Sequence, residues 1–181
     1  MTDEALMTAV REGDLTQLGA LFERHHVALF AFLTRMTGDR TAAEDLVQDI
    51  FVRILKYRAT YLDGARFETW LFRIARNARA DYLRTRPLLE PLGADALERP
   101  APGPGPMRQL EADRDRTRLK QSLLQLSEDK RELLVLARYQ GMRHEQIATL
   151  LGIETGAVKV RLHRALRELR DIFLQSSDRN P

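Results

Sequence analysis

The sequence predicts an all-α protein made of two helical domains that are joined by a flexible Pro/Gly-rich linker. Apolar residues recur at helical spacing through most of the 181 residues, and almost no stretch alternates apolar and polar residues as a strand does. Six of the seven prolines fall between residues 87 and 106, a density that neither a helix nor a central strand tolerates. We therefore expect domains at 1–86 and 108–175, a linker at 87–107 and a short tail at 176–181.

The composition is that of an ordinary globular chain, with 44% hydrophobic and 30% charged residues. The formal net charge of +3 is too small to indicate a polyanionic partner by itself, so the positions of the charges matter more. The absence of cysteine excludes disulfides and thiolate metal sites, as expected in a reducing cytoplasm. The polar, acidic start does not resemble a signal peptide and no apolar run is long enough to cross a bilayer, so we expect no membrane insertion.

The first core helix is predicted at residues 15–36. Its apolar side chains at helical spacing are Leu15, Leu18, Leu21, Phe22, Leu29, Phe30, Leu33 and Met36. His25 and His26 lie within it, and with Glu44 and Asp45 they are the candidate ligands of a metal-dependent hydrolase. Adjacent histidines point to different faces of a helix, so we expect neither a metal site nor another cofactor.

A second helix is predicted to start at a capping box formed by Thr41 and Glu44. Its inward face consists of Ala43, Leu46, Val47, Ile50, Phe51, Ile54 and Leu55. Asp45, Gln48 and Asp49 share the opposite side at helical spacing. Periodicity alone favours a solvated face for these three residues, and a docking surface for a basic partner is the alternative.

A third helix is predicted at residues 67–86, after a turn signalled by Asp63 and Gly64. Its outward face carries Arg73, Arg76, Asn77, Ala80 and Arg84. Arginine pairs phosphates, and asparagine offers both a donor and an acceptor to a base edge, so this face indicates contact with a nucleic acid. Trp70 falls on the inward face, which favours packing over stacking on a base.

The second domain returns to helix at 108–125 and again at 128–139, where Ser127 is the expected N-cap. Residues 145–167 then read as two short helices hinged at Gly152, a helix-turn-helix. The inward residues of its second helix are Val158, Leu162, Ala165, Leu166 and Leu169, and the outward residues are Gly156, Lys159, Val160, His163, Arg164 and Arg167. A mostly cationic or small outer face suits a helix in the major groove of DNA, whereas a solvated helix of an ordinary bundle is the alternative.

Three blocks of sequence resemble the sigma-70 family of bacterial RNA polymerase sigma factors, in the extracytoplasmic-function (ECF) group that keeps only the second and fourth conserved domains. The blocks are AEDLVQDIFVRIL at 43–55, WLFRIARNARADYLR at 70–84 and LLVLARYQGMRHEQIATLLGIETGAVKVRLHRALREL at 133–169. They follow the order and spacing of the family and cover both domains. The resemblance implies a transcription initiation factor, not an enzyme, that binds core RNA polymerase and directs it to promoter DNA.

For the first domain, the resemblance assigns each surface a partner. Asp45, Gln48 and Asp49 match the residues that bind the coiled-coil clamp helices of the polymerase β′ subunit, which reverses the preference for a solvated face. The flipped base of the minus-10 element would be captured by Asn77 with the turn residues Asp63, Gly64, Ala65 and Arg66. The backbone of the opened strand would be followed by Arg73, Arg76 and Arg84.

For the second domain, the resemblance implies contact with the polymerase β flap and with the minus-35 element in duplex form. The positions that match this DNA interface are Thr155, Gly156, Lys159, Val160, Arg161, His163 and Arg164, with Arg161 as a phosphate contact. Val160 is apolar where the family is often polar, so it can contact a thymine methyl group but cannot donate a hydrogen bond.

The resemblance also implies a separate anti-sigma factor that covers these surfaces. It implies a cytoplasmic protein, which such a partner can hold at the membrane. The alternative within DNA binding is an ordinary helix-turn-helix regulator whose first domain senses a ligand or dimerises. That alternative predicts tight binding of duplex DNA by the free protein, with no need for polymerase.

Overall fold

The computed structural model describes residues 1–85 and 106–178, and every regular element within them is helical, which confirms the predicted fold class. The helices are α1 (Asp3–Glu12), α2 (Gln17–Thr37), α3 (Arg40–Tyr57), α4 (Phe67–Thr85), α5 (Pro106–Gln125), α6 (Glu128–Leu134), α7 (His144–Leu151) and α8 (Thr155–Asp178). A 3-10 turn at Arg58–Thr60 follows α3, and a π-helical turn at Val135–Tyr139 continues α6. Across the described part of the chain, no helix has the length and apolar character needed to span a membrane.

The first domain is built from α2, α3 and α4, whose apolar faces meet in a common core. Phe32 of α2 packs edge-on against Phe72 of α4, with ring centroids 5.1 Å apart. Trp70 is only 8% exposed, so it packs as its helical register predicts. The predicted inward face of α3 is buried at Ala43, Leu46, Val47, Ile50, Phe51 and Ile54. Each large apolar side chain buried in this way contributes about 1.5–3 kcal/mol to stability.

Helix α1 is absent from the sequence prediction, which places its first helix at residue 15. Thr2 caps α1 by accepting a hydrogen bond from the Ala5 amide at 3.3 Å. Leu6, Met7 and Val10 are buried where α1 packs across α2 and α4. The short helix is stabilised mainly by this tertiary packing, which a sequence pattern of so few turns does not reveal.

The start of α3 differs from the predicted capping box. Asp39 is the N-cap, and its Oδ1 accepts a hydrogen bond from the Ala42 amide at 3.1 Å. Because α2 ends at Gly38, Asp39 is the first residue available to start the next helix, and its short carboxylate reaches the third amide. The predicted box of Thr41 with Glu44 is therefore wrong, since Thr41 already lies inside the first turn.

The predicted linker at 87–107 lies outside the described residues, except for its last two positions. Those two belong to α5, which begins at Pro106. Proline is well tolerated in the first turn of a helix, because its missing N–H has no intrahelical partner there. Helix α8 continues through Asp178, so the first half of the predicted tail at 176–181 is helical.

The predicted helix-turn-helix is formed by α7 and α8. Gly152 ends α7 with φ of +66°, a left-handed conformation that residues with a side chain rarely adopt. The amides of Gly152 and Ile153 both donate to the Ala148 carbonyl, the latter at 3.0 Å. This turn sets α8 across α7, with Val158 and Leu162 buried beneath it.

The two domains are packed on each other in the free chain, an arrangement that the sequence leaves open. A Cβ atom built on Gly38 would meet Leu124 Cδ1 at 3.1 Å, so the end of α2 and the end of α5 are in close contact. Arg131 Nη1 donates to the Met36 carbonyl at 2.8 Å, while its Nη2 donates to the carbonyls of Leu124 and Leu126 at 2.7 and 3.1 Å. One guanidinium therefore ties the second domain to the first.

Candidate polymerase and promoter DNA interfaces

The first candidate surface is the acidic patch, which consists of Asp45, Gln48 and Asp49 on α3. Asp45 and Gln48 are exposed, and Asp49 is partly exposed. The buried face of α3 holds the three side chains on one side of the helix, as the spacing predicts. Val52 lies one turn after Gln48 and is 62% exposed, so an exposed apolar side chain borders the acidic patch.

One member of the acidic patch also anchors a network between α3 and α4. Arg53 Nε donates to Asp49 Oδ2 at 2.7 Å, and its Nη1 donates to Asp81 Oδ2 on α4 at 2.6 Å. Asp81 also pairs with Arg84. Hydrogen bonds from Arg53 and then Arg84 hold the pKa of the Asp81 carboxyl below its usual value. The network links α3 to α4 beside the acidic patch.

A pocket of about 330 Å³ opens between α3 and α4 next to this network. Its lining residues are Arg53, Tyr57, Ile74, Asn77, Ala80, Asp81 and Arg84. Asn77 and Arg84 therefore face one common site, together with an aromatic side chain. The site is distinct from the one formed by the turn after α3, so Asn77 and the turn residues do not share a pocket. Asn77 lies one helical turn beyond Arg73 on α4, which accounts for the separation.

The turn at residues 61–66 is held in place by α1. Arg11 donates from Nη1 to the Tyr61 carbonyl at 3.0 Å, and its Nη2 lies 2.7 Å from Asp63 Oδ1. The Tyr61 hydroxyl donates to the Ala65 carbonyl at 2.6 Å. Gly64 has φ of +76°, which a side chain at this position would strain. Arg11 thus positions the turn from a place fifty residues earlier in the chain, where no sequence pattern links it to the turn. Tyr61, at the start of the turn, braces it from within.

A second pocket, of about 340 Å³, lies between this turn, α4 and α7. It is lined by Thr60, Leu62, Ala65, Arg66, Thr69, Trp70, Arg73, Glu145, Gln146 and Thr149. Trp70 packs in the core against Tyr61, with ring centroids 5.4 Å apart, and still contributes to the pocket wall. Arg66 and Arg73 bring positive charge to its rim. An aromatic side chain and two guanidinium groups can contact a base and its phosphate, while Glu145 on the α7 side adds a negative charge.

The arginine face of α4 is only partly available to a ligand. Arg73 is exposed, but Arg76 is half-buried, with its Nε 2.9 Å from Glu132 Oε1 and its Nη1 donating to the Leu150 carbonyl at 3.1 Å. Arg79, which belongs to neither predicted face of the helix, is buried and pairs with Glu128 and Glu132. The second domain thus covers the central part of a face that the sequence predicts to be open.

The outward face of α8 is exposed. The exposed residues are Gly156, Lys159, Val160, Arg161, His163 and Arg164, and Thr155 at the start of the helix is half-buried. Burial of Val158, Leu162 and Ala165 turns these side chains outward along a single stripe. Val160 is 52% exposed, so an apolar side chain stands among the cationic ones. A stripe of this shape and charge suits the major groove of duplex DNA.

The histidines of α2 make local contacts instead of gathering as ligands. His25 Nε2 lies 2.8 Å from Asp3 Oδ2, and His26 Nδ1 lies 2.9 Å from the Phe22 carbonyl. Glu44 and Asp45 lie exposed on α3. Among the residues that the structure describes, no three side chains of the His, Cys, Asp or Glu type come together as a metal site.

Comparison with known proteins finds the same two regions in the same order. The family described as Sigma-70 region 2 matches residues 21–87, and the family described as Sigma-70, region 4 matches residues 116–169. The chain is 35% identical to the RNA polymerase sigma factor CarQ of Myxococcus xanthus, over 92% of this chain and 95% of that protein. It is 33% identical to the ECF RNA polymerase sigma factor SigL of Mycobacterium tuberculosis, over 92% of this chain and 94% of that protein.

Solved structures of similar proteins share the fold. CnrH, solved in complex with the cytosolic domain of CnrY, superposes with a TM-score of 0.73 and 28% identity, covering 97% of this chain and 98% of that one. RpoE of Bartonella quintana, solved with the anti-sigma factor NepR, superposes with a TM-score of 0.67 and 26% identity, covering 85% and 94%. The chain therefore belongs to the sigma-70 family of RNA polymerase sigma factors, in its extracytoplasmic-function group.

Proposed function

We propose that the chain binds core RNA polymerase through the acidic patch and reads a promoter with both domains, the first on the opened minus-10 strand and the second on the minus-35 duplex. The observation that carries this proposal is the exposure, on one chain, of an acidic patch on α3 and a cationic stripe on α8. Two surfaces of opposite charge fit two partners of opposite charge. The chain contributes binding energy to initiation and no catalytic group of its own.

The acidic patch fits the clamp helices of the β′ subunit because it offers acceptors to a basic partner. Asp45 and Gln48 are exposed, and Asp49 is oriented by Arg53 at 2.7 Å. Such complementary charges chiefly raise the association rate and select the partner. The exposed Val52 adds apolar area next to them, which is the usual composition of an interface centre with a polar rim. Contact between the second domain and the β flap would complete the attachment to polymerase.

The first domain holds the opened minus-10 strand. The pocket beside Trp70 takes a base that has left the duplex, and the turn at 61–66 forms its outer wall. Extruding a base costs a few kcal/mol, so a pocket that accepts only the extruded base helps to keep the strands apart. Arg73 at the rim pairs the strand backbone, and Asn77 contacts the strand from the neighbouring pocket.

The second domain reads the minus-35 duplex with α8. Lys159, His163 and Arg164 reach base edges, Arg161 pairs a phosphate, and Val160 contacts a thymine methyl group. Thr155 and Gly156 bring the start of α8 close to the DNA backbone, where its amides attract phosphate. The reading is specific because a bidentate pair between a side chain and a base distinguishes bases by about 1–3 kcal/mol.

We further propose that a separate anti-sigma factor controls the chain by covering these surfaces. The similar RpoE of Bartonella quintana was solved in complex with an anti-sigma factor, and its chain is matched over 94% of its length. The chain acts in the bacterial cytoplasm, where polymerase and promoter DNA are present. An anti-sigma partner anchored in the membrane would hold it there until released.

The test is reconstitution of the full chain with core polymerase on a genomic template, followed by sequencing of transcript starts. We expect starts that share upstream sequence elements. The triple variant D45A/Q48A/D49A should fold normally and lose these starts because it loses affinity for core polymerase. The matched control E168Q/D171N changes acidic residues of α8 far from the patch and should keep them. Random starts, or tight specific binding of duplex by the free chain as a helix-turn-helix regulator predicts, would overturn the proposal.

A further inference from the structure

Arg53 lies between the two surfaces that the first domain offers to its proposed partners. Its Nε donates to Asp49 Oδ2 in the acidic patch at 2.7 Å, and its Nη1 donates to Asp81 Oδ2 on α4 at 2.6 Å. Its side chain is 22% exposed, so the guanidinium is largely packed between α3 and α4. It also lines the pocket that contains Asn77 and Arg84. One guanidinium thus contacts both the acidic patch and the pocket.

The bond to Asp49 orients one acceptor of the acidic patch. Asp49 and Arg53 are four residues apart on α3, so the pair forms along one side of the helix. The bond occupies Oδ2 and leaves the acceptor capacity of Oδ1 for a basic group of a partner. The Asp49 side chain is 42% exposed, so without Arg53 it would sample several rotamers, and docking would cost the entropy of ordering it.

The bond to Asp81 balances a negative charge beside the pocket. Asp81 accepts from Arg53 through Oδ2 and from Arg84 through Oδ1, so two guanidinium groups share one carboxylate. A guanidinium that is the sole partner of a carboxylate binds phosphate weakly, because the same N–H donors serve both anions. Since Arg53 neutralises Asp81, Arg84, whose side chain is 77% exposed, keeps its positive charge for the strand backbone.

We propose that Arg53 is a positioning residue for both partners of the first domain. Through Asp49 it presents an ordered acceptor to the polymerase, and by neutralising Asp81 it lets Arg84 pair a phosphate of the opened strand. The inference rests on the proposed roles of the acidic patch and of α4, and it gives Arg53 no contact with either partner. The alternative is a structural tie between α3 and α4, which would affect both functions through stability alone.

The first experiment measures the affinity of core polymerase for the full chain. The chain has no cysteine, so fluorescein at L174C, an exposed position of α8 outside both surfaces, is a unique label. We expect R53M to weaken binding about three- to fivefold, because methionine is of similar length but donates no hydrogen bond. In the D49A background the same change should alter the affinity by less than about 1.5-fold, since its route to the polymerase is already lost.

The second experiment measures the lifetime of the open complex, after addition of heparin, on a promoter found by the sequencing of transcript starts. Holoenzyme is assembled at saturating core polymerase, so weaker core binding does not contribute. We expect R53M to shorten the lifetime about fivefold, because the unbalanced Asp81 captures Arg84 and repels the strand. The double variant R53M/D81N should recover the lifetime to within about twofold, while its core binding stays weak.

A matched control and a spectroscopic measurement separate positioning from a structural tie. R24M is the control, because it removes an arginine that pairs with Asp3, and it should leave core affinity and open-complex lifetime within about 1.5-fold. Titration of the Asp81 carboxyl by carbon-13 NMR should show a higher pKa in R53M than in the wild type, since the hydrogen bond from Arg53 is the largest effect that lowers it.

The outcomes distinguish this inference from the proposed function. Unchanged core affinity and lifetime in R53M overturn the inference, and so does a D81N change that fails to restore the lifetime. A loss of core affinity that persists undiminished in the D49A background overturns the route through Asp49. If D45A/Q48A/D49A leaves core binding intact, or R84A leaves the lifetime intact, the proposed roles of the acidic patch and of α4 fail instead.

R53K is the second variant, for use if R53M does not fold. Lysine keeps a positive charge beside Asp81, but its ammonium lacks the planar fork that reaches two carboxylates in a fixed geometry. We expect the lifetime of the open complex to stay within about twofold of the wild type, while core affinity still falls by about twofold or more. Parallel losses in both measurements would indicate a structural tie and overturn the inference.

Discussion

Helices α4 and α8 each carry arginines on one side and pack an apolar side into the core. The two helices differ in how far their arginines are exposed. On α8, Lys159 and Arg164 are exposed. On α4, Arg76 is half-buried and Arg79 is buried against carboxylates of the other domain. The spacing of residues therefore reports the chemistry of a face, whereas its availability depends on tertiary contacts. This difference predicts that substitution of the buried Arg79 on α4 affects stability, whereas substitution of an exposed arginine on α8 affects only binding.

The largest expected effect is on stability. Arg79→Ala should lower the free energy of unfolding by roughly 3 kcal/mol, because it leaves the buried Glu132 with one fewer cation. Arg164→Ala, an exposed change, should stay within about 0.5 kcal/mol. Urea denaturation followed by circular dichroism measures both. Equal stability losses for the two variants would remove the distinction between the faces.

The next effect is on recognition of the duplex. Arg164→Ala should weaken binding of polymerase holoenzyme to its minus-35 element by about 2 kcal/mol, the middle of the range for a bidentate base contact. Arg73→Ala removes a backbone contact at most, so the same assay should show a smaller loss that is uniform across sequences. Competition binding with matched and scrambled duplexes gives the measurement. If Arg164→Ala weakens binding equally for matched and scrambled duplexes, Arg164 contacts the DNA backbone and not a base.

A smaller effect is expected on strand opening. Asn77→Ala should weaken the open complex by about 1 kcal/mol, the usual worth of one hydrogen bond, and leave duplex binding nearly unchanged. Permanganate reactivity of unpaired thymines reports opening, and a gel shift reports duplex binding. Lys159→Ala is the converse control, since it should reduce duplex binding and opening together. Equal losses in both assays for Asn77→Ala would count against a role in opening.

The smallest effect concerns the turn at 61–66. Arg11→Ala removes the contacts to the Tyr61 carbonyl and to Asp63. Because the Asp63 side chain is largely exposed, the free energy of unfolding should fall by only about 0.5 kcal/mol. Local order should change more, with faster amide exchange at residues 61–66. Arg24→Ala, which breaks a pair between α2 and Asp3, is the control and should leave that exchange unaltered.

The parts that the sequence predicts well are those that depend on neighbours along the chain. The inward face of α3 and the turn at Gly152 follow from periodicity and from one glycine, and both are found as expected. The acidic patch is exposed for the same reason. Its functional assignment comes from the family resemblance, since periodicity alone favours a solvated face.

The parts that the sequence does not predict are contacts between residues far apart in the chain. Arg79 and Glu132 are separated by 53 positions (132 minus 79) and by the Pro/Gly-rich segment, so no local pattern pairs them. Arg11 reaches a turn that is fifty residues away. Leu150 is a further example. It is buried because α7 packs against both α8 and α4, whereas an amphipathic pattern with one apolar face predicts packing on one side only.

The guanidinium of Arg131 makes the two family regions one unit in the free chain. It donates to the last carbonyls of α2 and α5 at once, beside the close contact of Gly38 with Leu124. The apolar cores of the two regions are also continuous. Heat should therefore unfold the free chain in a single calorimetric transition, with an enthalpy set by both regions together. The boundaries that separate regions 2 and 4 in the sequence do not separate units of cooperative unfolding.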